Sequence, residues 1–153
     1  MWDVLYALQA SEPEELASAF GGVVIDAKER VLLRRPKGDF DGYVWTFPKD
    51  QPARETAEEA ALREVKEETG YSAEIKKRLP GLFKGGTSVT EYFLMSPVGS
   101  PSPVDAEETS AIRWASLDQA AKLIRLTVNE VGQSRDLSVL DAIRVALKAE
   151  QKA

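Results

Sequence analysis

Three glutamates fall within five residues of one another: Glu64, Glu67 and Glu68. On a helix, at ~100° per residue, Glu67 lies about 60° to one side of Glu64 and Glu68 about 40° to the other, so the three carboxylates share a face. The chain has neither histidine nor cysteine. That removes imidazole bases, Ser-His-Asp and Cys-His arrangements, and thiolate or imidazole metal ligands. Catalysis on this chain must therefore use carboxylates, lysines, hydroxyls or a metal held by oxygen atoms. A carboxylate cluster without softer donors selects a hard divalent ion, Mg2+ or Mn2+, carrying several waters, and such ions work with phosphates.

An acidic helix face is usually a solvated one, and three details set this one apart. Ala57, Ala60 and Ala61 continue the acidic stripe toward the helix start, and their small side chains let that face approach the protein body. Lys66 points away from the acids. No basic residue stands four positions after Glu64, so the mutual repulsion of the three acids calls for a cation from elsewhere.

The elements that must position this face are marked by local signals. Thr56 with Glu59 makes a capping box, and Gly70 supplies a left-handed stop, so a helix runs from Thr56 to Thr69. Upstream, the apolar runs Gly22 to Ile25 and Val31 to Leu33, separated by Asp26 to Arg30, predict a hairpin. Pro36 to Gly42 is a punctuated loop leading into an expected strand Tyr43 to Phe47, which stops at Pro48. Downstream, Ser72 to Leu79, Val89 to Met95 and Ala111 to Trp114 read as strands, with Gly85-Gly86 as a turn and Ser96 to Pro103 as a loop. Leu117 to Leu126 reads as a short helix. Asp136 reads as the cap of a longer one, with Leu137, Leu140, Ile143, Val145 and Leu147 as its buried stripe. Ser11-Glu12-Pro13-Glu14 has the form of a further helix start. Strands and helices interleave, which predicts an α/β fold: a mixed sheet with helices on both faces.

Composition bounds the function. With 153 residues, 29% charged and 43% hydrophobic, the chain reads as one domain, 1–153, with a short N-terminal extension over 1–20. Twenty basic against twenty-five acidic residues give a net charge of -5, which argues against nonspecific nucleic-acid or anionic-membrane binding. No run approaches the ~20 apolar residues of a membrane span. Met1 to Ala10 has no basic region of the kind that opens a secretory leader, so a cytoplasmic location is expected.

The run Arg63-Glu64-Val65-Lys66-Glu67-Glu68-Thr69-Gly70-Tyr71 resembles the second half of the Nudix box, GX5EX7REUXEEXGU with U apolar. Glu55 stands at the matching position eight residues before Arg63. The likeness to MutT-like Nudix hydrolases extends to Gly21-Gly22-Val23-Val24-Ile25, to Trp45-Thr46-Phe47-Pro48-Lys49 and to Ile112-Arg113-Trp114-Ala115-Ser116-Leu117. Two loop glycines of the family's pattern are absent: Lys49 stands where the first is expected, and the loop to Glu55 is one residue shorter than usual.

The resemblance implies a Nudix-type α/β/α sandwich. Glu64 and Glu68 would be direct ligands of Mg2+ or Mn2+, and Glu67 a ligand directly or through water. Glu55 and Arg63 would pair to fix the loop against the helix. The implied reaction is hydrolysis of a nucleoside diphosphate linked to some group X, by water attack at phosphorus.

Glu91 and Glu108 rank together as candidate general bases, with Glu107 as a rival. For the substrate, Arg34, Arg35, Lys37, Lys49 and Lys84 either meet a polyphosphate or solvate strand ends. Trp45, Phe47 and Tyr92 either stack on a base or fill the core. The basic residues and the Trp-Thr-Phe-Pro-Lys run look most like the branch that cleaves dinucleoside polyphosphates or nucleoside triphosphates. ADP-ribose or a nucleotide sugar is the runner-up, and a non-catalytic nucleotide-binding module is the alternative of another class. The expected partner is a small nucleotide, with no nucleic acid and no membrane; a homodimer is left open.

Overall fold

The computed structural model describes residues 16–151. The helix start expected at Ser11, and most of the extension 1–20, lie outside the described residues.

The apolar runs become strands whose alternate side chains enter two separate cores. In β1 (Ala19–Val24) Val23 and Val24 face opposite ways, and in β2 (Val31–Pro36) Val31 and Leu33 oppose Leu32. In β6 (Val89–Val98) Tyr92 and Leu94 oppose Phe93 and Met95. Strands covered on both faces carry continuous rather than alternating apolar runs, which is why these segments are legible without periodicity.

A five-stranded sheet has the order β3 (Lys49–Asp50), β1, β6, β4 (Ser72–Arg78), with β5 (Phe83–Lys84) also paired to β6. β1 runs parallel to β6 and the other pairings are antiparallel, so the sheet is mixed. β2 pairs with β7 (Thr109–Ala115) in a second, two-stranded sheet. Helix α1 (Ala57–Thr69) covers one face through Ala61 and Val65, which pack with Val24, Leu32, Phe93 and Met95. Helices α2 (Leu117–Ile124) and α3 (Glu130–Gln151) cover the other, where Ile124, Leu140 and Ile143 meet Val23, Phe47, Tyr92 and Leu94. The result is the expected α/β/α sandwich.

Several expectations are corrected. The turn between β1 and β2 forms, with Asp26 Oδ1 accepting from the N–H groups of Lys28 and Arg30. The hairpin ends after the single bridge Ile25 to Val31, because both edges of β1 are already taken by β3 and β6. Tyr43 to Phe47 is not a strand: Thr46 alone bridges to Arg34, and the Val44 N–H goes to Thr127 Oγ1 instead of a ladder. Pro97 does not end its strand. It pairs with Ala73 beyond the last residue of β1, where β6 is an edge on that side and a missing N–H costs nothing. Asp136 caps nothing: α3 begins six residues earlier, with Asn129 Oδ1 accepting from the Gly132 N–H. Val145 faces solvent, its place in the stripe taken by Val139 and Ala146.

Candidate active site

Helix α1 is fixed at both ends by its own sequence. Thr56 Oγ1 accepts from the Glu59 N–H and Glu59 Oε1 from the Thr56 N–H, each at 3.1 Å. Gly70 closes the helix at φ 80°, a left-handed conformation that glycine adopts without a Cβ penalty. Ala60 and Ala61 are fully buried, so the stripe they share with the acids carries Glu64 and Glu68 inward; each retains 4% exposure. Lys66 does turn away, donating to Gly70 O, Ser72 Oγ and Ser102 Oγ.

A third carboxylate joins the buried pair from the sheet. β3 lies against β1 in the register Gly21 to Lys49 and Phe20 to Asp50, and a side chain at Gly21 would strike Pro48 O and Lys49. That close approach brings a carboxylate oxygen of Asp50 to within 4.8 Å of oxygens of Glu64 and Glu68. Three oxygen donors at this spacing suit a hard divalent cation. Glu67 stays at the exposed rim, where Arg63 donates to it at 3.1 Å.

The cations called for by the acidic face are Arg63 and Arg34. Arg63 Nε donates to both oxygens of Glu55 at 3.0 and 2.8 Å, and its Nη1 to Glu64 Oε1 at 2.6 Å. Glu55 Oε1 also accepts from the Ala53 N–H, so one carboxylate ties the loop to the helix. Arg34 Nε lies 3.5 Å from Glu68 Oε1 and donates to Thr109 Oγ1, while its Nη2 donates to Glu108 O. The Thr109 hydroxyl in turn donates to Glu68 O.

This compensation is incomplete. Burial, opposed by Arg34 and reinforced by the Glu64 carboxylate, pushes the Glu68 carboxyl up to about 8. Burial also raises Glu64, against the pull of Arg63 and with the push of Asp50 and Glu67. Burial thus favours the uncharged form of both groups, and a cation beside them would favour the ionised form. Beside them, burial and the nearby Arg135 lower the Lys49 ammonium below its ordinary value.

Glu68 and Asp50 open onto a cavity of about 700 Å3. Of the basic residues singled out in the sequence, Arg34, Lys37 and Lys49 line it. Arg35 instead pairs with Asp39, and Lys84, exposed at the end of β5, is not among the residues that line the cavity. Glu107 and Glu108 line the cavity; Glu91 does not, and lies 3.4 Å from Arg78. Trp45 and Tyr92 are core residues rather than wall, with Tyr92 edge-on to Phe47 and Phe83; Phe47 reaches both the core and the cavity.

Sequence reasoning missed Asp50, Phe40 and the buried pair of Arg135 and Asp136. Arg135 Nε donates to Asp136 Oδ1 at 3.0 Å, the Thr46 hydroxyl donates to Asp136 Oδ2 at 2.6 Å, and the guanidinium stacks 5.2 Å over the Tyr43 ring. The available signal for Asp50 was a carboxylate next to Lys49, in the loop that must face the acidic helix.

Residues 15–136 match the family described as the NUDIX domain. The chain belongs to the NUDIX domain family. A curated relative from Bacillus subtilis (strain 168), a putative 8-oxo-dGTP diphosphatase, is 32% identical over 97 residues, which are 61% of this chain; the chain spans 62% of that relative's length. A MutT NUDIX hydrolase from Burkholderia pseudomallei superposes with a TM-score of 0.57 at 25% identity, over 69% of this chain and 86% of the other. A C. elegans Ap4A hydrolase has the same fold, with a TM-score of 0.60 at 22% identity, over 86% and 98%. In this NUDIX-domain chain the run that resembles the second half of the Nudix box, Arg63 to Tyr71, occupies the last two turns of α1 and the two residues after it. Among the described residues no helix is long and apolar enough to cross a membrane.

Proposed function

We propose that this NUDIX-domain protein is a Mg2+- or Mn2+-dependent pyrophosphohydrolase. Its substrate is a nucleoside triphosphate or dinucleoside polyphosphate, cleaved by water attack at phosphorus. The observation that carries the reading is the cluster of Asp50 with the buried pair Glu64 and Glu68, of which Asp50 and Glu68 open onto a cavity that Arg34, Lys37 and Lys49 also line. The NUDIX family match supports it, as does the triphosphate substrate class named for the Bacillus relative.

Asp50, Glu64 and Glu68 hold the cation. When bound, the divalent ion neutralises phosphoryl oxygens and stabilises the charge that builds at the attacked phosphorus. Lys49 and Lys37 contribute further positive charge to the polyphosphate chain, and Arg34 holds Glu68 in place while facing the same cavity. Glu108 takes the proton from the attacking water: it lines the cavity, as does Glu107, and of the two it alone also lines the recess beside Glu67 of the acidic face, whereas Glu91 is engaged with Arg78.

Chromatographic separation of the products formed with Mg2+ (nucleoside monophosphate with pyrophosphate, a second nucleotide or a sugar phosphate) across nucleoside triphosphates, dinucleoside polyphosphates, ADP-ribose and nucleotide sugars tests the substrate class. Running the reaction in 18O water tests the bond broken. The reading expects turnover of the first two classes and label on a phosphate product. Turnover confined to ADP-ribose or sugars, or label only on a sugar or alcohol, would overturn it. Binding without any turnover would make the protein a nucleotide-binding module.

A further inference from the structure

Phe40 is 74% exposed and belongs to neither hydrophobic core, yet it lines the cavity that holds Asp50 and Glu68. Leaving a phenyl ring in water forgoes the burial that usually justifies an aromatic residue. The backbone around it is held in an uncommon form as well. Asp39 has φ 50° and Asp41 φ 61°, two non-glycine residues in the left-handed region on either side of an extended Phe40. L residues adopt that region at a cost, so surrounding contacts must enforce it.

Those contacts are present. Arg35 donates twice to the Asp39 carboxylate, at 2.8 and 3.0 Å. Asn129 Nδ2 donates to Asp41 O, and the Val128 N–H donates to Gly42 O at 2.8 Å. The Tyr43 N–H returns to Phe40 O. The turn is thus pinned to β2 on one side and to the start of α3 on the other, and its backbone presents the ring at the mouth of a charged cavity. This also gives Arg35 a role as an anchor of the turn.

We propose that Phe40 is the stacking platform for the nucleobase of the substrate, a proposal that rests on the nucleotide reading above. The rest of the cavity wall is rich in charge, with Lys37, Lys49, Asp50 and Glu68 suited to a metal and a polyphosphate. A bare aromatic ring at the mouth suits the one part of a nucleotide that is planar and uncharged. A phenyl ring offers no hydrogen-bonding group, so it selects for a flat base without distinguishing adenine from guanine. Docking of another protein on this ring is the competing explanation, and the ring's place in the cavity wall favours the base.

The test uses ligands without a phosphoanhydride, so that turnover does not interfere: AMP, GMP and ribose 5-phosphate, bound in the presence of Mg2+ and followed by calorimetry. The wild-type protein is expected to bind both nucleotides more tightly than ribose 5-phosphate. Phe40→Ala should weaken AMP and GMP about tenfold, equivalent to ~1.4 kcal/mol, and leave ribose 5-phosphate unchanged, while Phe40→Trp retains nucleotide binding. In turnover, Phe40→Ala should raise KM with kcat within about twofold. Phe40 is exposed, so its replacement leaves the fold intact.

Equal affinity of the wild-type protein for nucleotides and ribose 5-phosphate would overturn the proposal. So would no detectable nucleotide binding, or an unchanged Kd in Phe40→Ala, including the case where only its oligomeric state changes. Base-dependent binding through Phe40 with no hydrolysis product from any nucleotide would refute hydrolysis alone, and so separates the two claims.

Discussion

The backbone N–H of Lys49 donates to Oε1 of Glu68 at 3.1 Å. Lys49 stands where a loop glycine is expected, in a loop one residue shorter than the usual pattern, yet the loop still reaches the acidic helix. The contact uses the main chain, which every residue type except proline supplies. The next residue, Asp50, then delivers its carboxylate to the cluster.

The shortened loop depends on its brace. Glu55→Gln weakens the grip of Arg63 on the loop and should shift Asp50 relative to Glu64 and Glu68. A misplacement of ~1 Å can cost on the order of 10²-fold in rate, whereas a partly exposed ion pair contributes only ~0–1 kcal/mol to stability. Turnover and thermal unfolding measured on the same variant should show a large loss of rate with a small loss of melting temperature. A lowered melting point with wild-type turnover would make the brace structural only.

The cavity separates Glu108 from Glu91. Glu108→Gln should lower kcat by about 10²-fold or more, the usual range for losing a general base, while Glu91→Gln should change kcat less than twofold. Steady-state rates of the two variants decide the assignment, and the opposite order would transfer the role to Glu91.

The buried carboxyls make metal-free stability depend on pH. Burial, opposed by Arg34 and reinforced by Glu64, raises Glu68 from 4.5 to about 8. Between those values the folded protein keeps a proton that the unfolded chain releases, so metal-free stability should fall as pH rises through that window. A bound cation relieves the repulsion of the ionised carboxylates. Melting temperatures with and without Mg2+ should therefore differ more at about pH 8 than at about pH 5. An equal gain at both values would contradict the placement of the metal beside Glu68.

What was legible in the sequence was local. The capping box at Thr56, the stop at Gly70, the alanine and glutamate stripe and the Glu55 to Arg63 spacing all lie within sixteen consecutive residues, and each signal acts over a turn or two of helix. Asp50 was hidden because its position depends on the pairing of β3 with Phe20, thirty residues away. Asp136 reads as a cap, since an acid before an apolar stripe looks the same in either role; its partner Thr46 is 90 residues distant. The hairpin failed for the same kind of reason, because nothing local to β1 reveals that both its edges are occupied. Trp45 and Tyr92 could not be divided between core and cavity from their residue type, since an aromatic side chain serves either place.

The central claim is that Asp50, Glu64 and Glu68 hold the divalent ion on which hydrolysis depends. Its most direct test is Mg2+ binding by calorimetry together with the rate of nucleotide product formation, followed by chromatography, on the wild-type protein and on Glu68→Gln. The account predicts Mg2+ binding and EDTA-sensitive turnover for the wild type. For Glu68→Gln it predicts weakened Mg2+ binding and a large loss of rate, with a melting temperature no lower than that of the metal-free wild type. Turnover in EDTA, or wild-type Mg2+ affinity and rate in Glu68→Gln, would contradict it.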